Sequence, residues 1–149
     1  MGMFDMLQIS ASALTAERQR AEVTSTNLAN AETTHTDQGG PYVRKEVVFS
    51  AIGGSPFHSV FNGAGGMALA PAGSVRMTGV VDDPTPPVQR YEPGNPDADA
   101  SGYVDYPAID PEHEMVDLMG SVRAYQLNAS AISAEKQMIQ QSIGILKPS

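Results

Sequence analysis

The chain has 149 residues, with 9 Lys and Arg against 17 Asp and Glu, a net charge of −8, 41% apolar residues and no cysteine. This balance argues against a nucleic-acid partner, which needs clustered cations, and against a purely electrostatic hold on an anionic membrane. Without cysteine there is neither a disulfide framework nor a thiolate metal centre. The acid load is uneven: residues 31–110 carry 4 basic and 10 acidic side chains, whereas residues 1–30 carry 2 and 3, and residues 111–149 carry 3 and 4.

The opening "MGMFDMLQIS" has no basic n-region and no continuous apolar stretch, so no cleaved secretory signal is expected. Nor does any apolar run approach the ~20 residues that span a bilayer. From Phe4 the sequence places Phe4, Leu7, Ala11, Leu14, Arg18, Ala21, Ser25 and Leu28 at alternating spacings of three and four. That rhythm predicts a heptad helix from about Met3 to Asn30, interrupted by polar Arg18 and Ser25. Its end, "TSTNLANAETT", is small, uncharged and rich in amides. We expect Asn27 and Asn30 to bond helix-end carbonyls and adjoining chains, and Asn30 to turn the chain in a left-handed C-terminal conformation.

The middle of the chain holds most of the 14 Gly and 11 Pro. "YVRKEVVF" (42–49), "SVRMTGVVDD" from Ser74 and "VQRYEP" from Val88 read as strands, with "DPTPP" confined to turns and edges. The Gly, Ala and Ser-rich stretch near 51–73 has no helical period and reads as a flexible loop or a weak hairpin. The helical rhythm returns at Met115, Leu118, Val122, Tyr125, Ala129, Ile132, Lys136, Ile139, Ile143 and Leu146. Asp110 suits the N-cap of this second helix and Pro111 its first position, while Glu112 and Glu114 match the positive end of the helix dipole.

The expected fold class is α+β: long N- and C-terminal helices pairing as an antiparallel coiled coil, with a small β-rich module inserted between them. Residues 1–34 and 111–149 form the helical domain and residues 35–110 the module. The candidate packing residues are Phe4, Leu7, Leu14, Leu28, Met115, Leu118, Val122, Tyr125, Ile132, Ile139, Ile143 and Leu146. Ser25, Asn27, Ala29 and Asn30 form the helix-tip motif. Small residues in "SASALTA" and "NASAISA" add faces that let further helices approach closely, as in a polymer.

Chemistry is weakly signalled. Asp97, Asp99, Ser101, Gly102, Tyr103 and Asp105 match positions 1, 3, 5, 6, 7 and 9 of a calcium loop, but Ala108 stands where a bidentate Glu is required. The competing reading is that Asp and Ser side chains bond nearby backbone N–H groups while Gly102 turns the chain. His113 lies between Glu112 and Glu114, yet adjacent helical residues diverge, so a solvated first turn is expected there. No GxSxG, Walker or GxGxxG pattern is present. No catalytic residue, metal or cofactor is expected.

"MFDMLQISASALTAERQRAEVTSTNLANAETT" resembles the N-terminal signature of bacterial flagellar basal-body rod and hook proteins, a heptad helix ending close to Ser/Thr-x-Asn-x-Ala-Asn. Here those positions are Ser25 or Thr26, Asn27, Ala29 and Asn30. "GGPYVRKEVVF", "YEPGNPDADASGYVDYPAIDPEHEMVDLM" and "RAYQLNASAISAEKQM" resemble the proximal-rod members of that family. One departure is that Glu32-Thr33-Thr34-His35 follows the motif where relatives often carry a Thr-Pro-Gly-Tyr type of turn. The resemblance implies a non-enzymatic subunit of the periplasm-spanning rod, with the terminal helices packed around the export channel and the module outside. It also implies export by the flagellar apparatus without a cleaved signal. The implied partners are copies of the chain, other rod proteins, basal-body ring and rod-base adaptor proteins and the export apparatus, with no nucleic acid or small-molecule substrate. The competing functions are a soluble coiled-coil adaptor or export chaperone, and a calcium-binding module.

Overall fold

A computed structural model describes residues 3–52 and 73–145 of the chain. Leu146 and most of the stretch read as a loop near 51–73 lie outside the described residues. The elements run α1 (Met3–Ala29), β1 (Lys45–Ile52), β2 (Ser74–Asp82), β3 (Val88–Tyr91), β4 (Tyr103–Tyr106) and α2 (Pro111–Ile145). Two helices with small two-stranded sheets make the α+β class expected from the sequence. At ~1.5 Å per residue the 27 residues of α1 and 35 of α2 extend about 40 and 53 Å. Neither is apolar enough to cross a membrane.

α2 starts where the capping argument places it. The Glu112 N–H donates to Asp110 Oδ1 at 3.0 Å, and the Glu114 N–H donates to the Asp110 carbonyl at 3.1 Å. Pro111 leads the helix, where its missing N–H costs nothing. β1 starts three residues later than the sequence suggests. The Tyr42 N–H is taken by the Thr33 carbonyl at 3.0 Å, so residues 42–44 form a stem that is held before the ladder begins. β4 is a strand that the sequence pattern does not mark, because its four residues fall within the calcium-like loop pattern.

The chain divides into two compact units. One comprises Met1–Arg18, Phe49–Thr78 and Val122–Ser149. Within it the start of β2 lies against α1: the Val75 N–H donates to Ser12 Oγ at 3.2 Å, and that hydroxyl donates to the Ile9 carbonyl at 2.7 Å. Ala16, Ser74 and Glu135 are its buried residues among those described.

The other unit comprises Gln19–Val48 and Gly79–Ser121. β3 and β4 form an antiparallel ribbon in which Val88 faces Tyr106, Arg90 faces Val104 and Tyr91 faces Tyr103. Because opposite residues share a face, Val104 is buried beside Arg90 and Tyr106, whose cation and ring lie 4.5 Å apart. Tyr91 and Tyr103 meet edge to face at 5.3 Å on the exposed side.

Burial along the helices does not follow the hydropathy rhythm. In α2 the buried line passes through Glu114, Ser121 and Glu135, with half-buried Asn128 completing an interval of seven. These are polar residues at heptad positions, made tolerable in part by their own helix. Ser121 Oγ donates to the Leu118 carbonyl at 2.8 Å and Asn128 Nδ2 to the Ala124 carbonyl at 3.0 Å. In α1 the most buried residues are Ala16, Thr24 and Asn27. Among the described residues only Ala16 and Val104 are deeply buried apolar side chains, so few of their apolar groups are sealed within the single chain.

Candidate functional site

The densest polar constellation lies within the second unit, where the tip of α1 meets the stem 42–45 and the first turn of α2. Asn27, at 2% exposure, uses every hydrogen-bonding position of its amide. Nδ2 donates to the Lys45 carbonyl at 2.8 Å and to Glu114 Oε2 at 3.3 Å. Oδ1 accepts from the Lys45 N–H at 3.0 Å and from the Tyr42 hydroxyl at 3.1 Å. The Arg44 carbonyl, one residue away, accepts from the Asp83 N–H at 2.8 Å. Successive residues of an extended chain present their main-chain groups to opposite sides. Lys45 therefore faces away from the Asp83 side, and the Asn27 amide fills the place of a neighbouring strand.

Glu114 is likewise 2% exposed. Its Oε1 accepts from Arg44 Nε at 2.7 Å, and the same guanidinium reaches Glu46 at 2.6 Å and Asp83 at 3.3 Å. Burial pulls the Arg44 pKa down, but its bonds to Glu114, Glu46 and Asp83 outweigh that and hold it above its already high ordinary value. Burial, then the nearby negative charges of Asp82 and Glu114, raise the Tyr42 pKa, so the phenol keeps the proton it donates to Asn27. Asp83 is held below the ordinary carboxylate value by the Thr85 hydroxyl and N–H, against some burial, with Arg44 contributing less. The expectation of a solvated first turn therefore fails at Glu114, because a cation from the stem and an amide from α1 cover it. His113 is exposed, with Nε2 3.9 Å from Asp117 Oδ2.

The helix-tip motif divides. Ser25 and Ala29 are exposed, and Asn27 is the buried member, bonded within its own chain. Asn30 Nδ2 donates to the Thr26 carbonyl at 2.9 Å, a helix-end carbonyl, and its Oδ1 accepts from Thr33 Oγ1 at 3.2 Å. The expected left-handed Asn30 is corrected by the backbone: no described residue other than glycine has positive φ. The Asn30 side chain and N–H both cap the Thr26 carbonyl, and the left-handed steps fall at Gly39 and Gly40, with φ of 85° and 75°.

Of the residues read as packing positions, Phe4 is 78% exposed, and Met115, Val122, Tyr125 and Ile143 are also exposed. Leu7, Leu14, Leu28, Leu118, Ile132 and Ile139 are half-buried. Leu146 is outside the described residues. Sequence reasoning missed Tyr42, Arg44, Lys45 and Glu114 as one cluster; the only signal was an Arg-Lys pair beside a strand and an acid at a helix start.

The carboxylates of the calcium-like loop do not converge. Asp97 accepts from Thr34 Oγ1 at 2.6 Å, Asp105 from Gln89 Nε2 at 3.0 Å, and Asp99 from the N–H groups of Ser101 and Tyr103 at 2.7 and 2.9 Å. With Gly102 at φ 83° this is the turn chemistry of the competing reading. Among the described residues no group of three or more His, Asp or Glu side chains is arranged to hold a metal ion.

Two family models match the chain. "Flagella basal body rod protein" covers residues 7–34, and "Flagellar basal body rod FlgEFG protein C-terminal" covers residues 100–145. Among curated relatives, the flagellar basal-body rod protein FlgC of Bacillus subtilis is 40% identical over 151 residues, covering 99% of this chain and 100% of the relative. The protein of the same name from Escherichia coli O6:H1 is 38% identical over 143 residues, covering 96% and 97%. That of Borreliella burgdorferi is 32% identical over 158 residues, covering 99% of each. End-to-end identity at this level, with both helical termini matched, shows that the chain belongs to the flagellar basal-body rod protein family.

Proposed function

We infer that this chain is a structural subunit of the flagellar basal-body rod, acting by assembly and not by catalysis. The observation that carries this reading is alignment with rod proteins along essentially their whole length. The physical support is the apolar surface left open on both helices. Phe4 and Met6 of α1, and Met115, Val116, Met119, Val122, Leu127, Met138 and Ile143 of α2, are all exposed in the single chain. Full burial of such a side chain contributes about 1.5–3 kcal/mol. Large apolar side chains left open in this number on two helices suit an interaction surface.

In the assembled rod the two helices pair as an antiparallel coiled coil and pack against copies of the chain and other rod proteins. The helical segments 1–34 and 111–149 form the inner wall, and residues 35–110 the outer module. The packing residues and the tip motif named from the sequence supply these contacts, apart from Asn27, whose bonds are already filled. Near-neutral helices suit close packing, while the acidic middle stays hydrated. Basal-body ring, rod-base adaptor and export proteins complete the set of partners. Electron microscopy of basal bodies isolated with and without this chain tests the proposal. Loss of the rod on deletion is expected; a complete rod in its absence would overturn it.

A further inference from the structure

We propose that Arg44, Asn27 and Glu114 form a latch that makes closure of the helix ends conditional on docking of the stem 42–45. Glu114 stands in the first turn of α2 at 2% exposure, where its carboxylate accepts from a guanidinium of the stem and an amide of α1. The amide is in turn held by both main-chain groups of Lys45. If the stem leaves, Glu114 loses its cation and Asn27 loses three of its four bonds, those to Tyr42 and to the Lys45 N–H and carbonyl. The helix ends then meet over an unpaired carboxylate, which a buried setting does not tolerate. An ion pair between α1 and α2 in this unit, Arg20 to Asp117 at 3.7 Å, joins partly exposed side chains and contributes little.

The consequence is an order of events. Closure of the helix ends buries Glu114, so it requires a partner for that carboxylate. A carboxylate on the buried line blocks that closure until the strand segment supplies its cation, so helix closure reports that the module's stem is in place. This device belongs to the single chain and does not depend on the rod reading.

Hydrogen exchange on the full chain, read at α1 residues 19–29, stem residues 42–48 and α2 residues 111–121, tests the latch with two variants. Arg44→Met leaves the carboxylate buried and unpaired, and protection is expected to fall in all three segments together, by more than about 100-fold. The double variant Arg44→Met, Glu114→Met replaces the pair with apolar side chains and is expected to restore protection in both helix segments. The latch is overturned if Arg44→Met loosens only residues 42–48. It is equally overturned if the double variant loses as much helix protection as the single one, or fails to fold where the single variant also fails.

Discussion

Asn27 grips the N–H and carbonyl of Lys45 at 3.0 and 2.8 Å, so a helix side chain stands in for a strand. This pairing explains why an uncharged amide closes α1. A carboxylate has the acceptors but not the donor, and a lysine has the donor but not the acceptors. Glutamine has both, on a stem one methylene longer.

Asn27→Asp is therefore expected to be far more damaging than Asn30→Asp. It leaves the Lys45 carbonyl without its donor and sets a second carboxylate beside Glu114. Urea unfolding should show a loss of roughly 3 kcal/mol or more for Asn27→Asp. At Asn30, half-buried at the helix end, the loss should stay near ~1 kcal/mol.

The two glycines that turn the chain most visibly should separate by environment. A methyl at Gly102 would lie 3.0 Å from Tyr91 Cε2 and 3.2 Å from Pro93 Cβ, on a backbone at φ 83°. At Gly39 the φ of 85° is similar but the space is open. Gly39→Ala should cost about 1 kcal/mol from backbone strain alone. Gly102→Ala should cost more and should disturb the Tyr91–Tyr103 ring contact, readable in near-ultraviolet circular dichroism.

Stability should fall away on both sides of neutral pH, for separable reasons. Asp83 is held below its ordinary value chiefly by Thr85, and Glu92 by Asn95 and then Tyr106. A depressed carboxylate stabilises the fold fully above its unfolded pKa, and that contribution is lost as pH falls from there through the folded value. Tyr42 and Tyr106 are raised, by burial and by the Glu92 hydrogen bond respectively. Their contribution is complete below the ordinary tyrosine value of 10.0 and is lost as pH rises through the folded values. Melting temperature against pH should show both limbs, and Tyr42→Phe together with Tyr106→Phe should flatten the alkaline one.

Asp110→Ala should shorten α2 by fraying its first turn, at a cost of about 1 kcal/mol. The loss reaches further than an ordinary cap, because the same turn carries Glu114. Protection at the Glu112 and Glu114 amides, which bond Asp110, is the local readout.

What could be read in the sequence was whatever is settled within a few residues. The Asp110 cap and Pro111 start, the Gly102 turn and the existence of two long helices all follow from local rules. The α2 burial line did not, because Glu114, Ser121, Asn128 and Glu135 are polar and a hydropathy rhythm passes one residue to their side. For three of them burial is licensed by partners that the rhythm cannot see: a carbonyl on the same helix for Ser121 and Asn128, and Arg44, 70 residues away, for Glu114. Asn27 stands out in the sequence, which suggests helix-end carbonyls and adjoining chains as its partners. Its partners are 15, 18 and 87 residues distant in its own chain, and no local pattern encodes them.

The central claim is that apolar helix faces open in the single chain are sealed in the rod. The chain has no cysteine, so Met119→Cys on α2, where the native side chain is 65% exposed, supplies a single reporter thiol. Maleimide labelling of that thiol, compared between purified monomer and intact basal bodies, tests the claim directly. Rapid labelling in the monomer and strong protection in basal bodies is the expected result, while Gln89→Cys on β3 stays reactive in both. Equal reactivity of Met119→Cys in the two states would contradict the account.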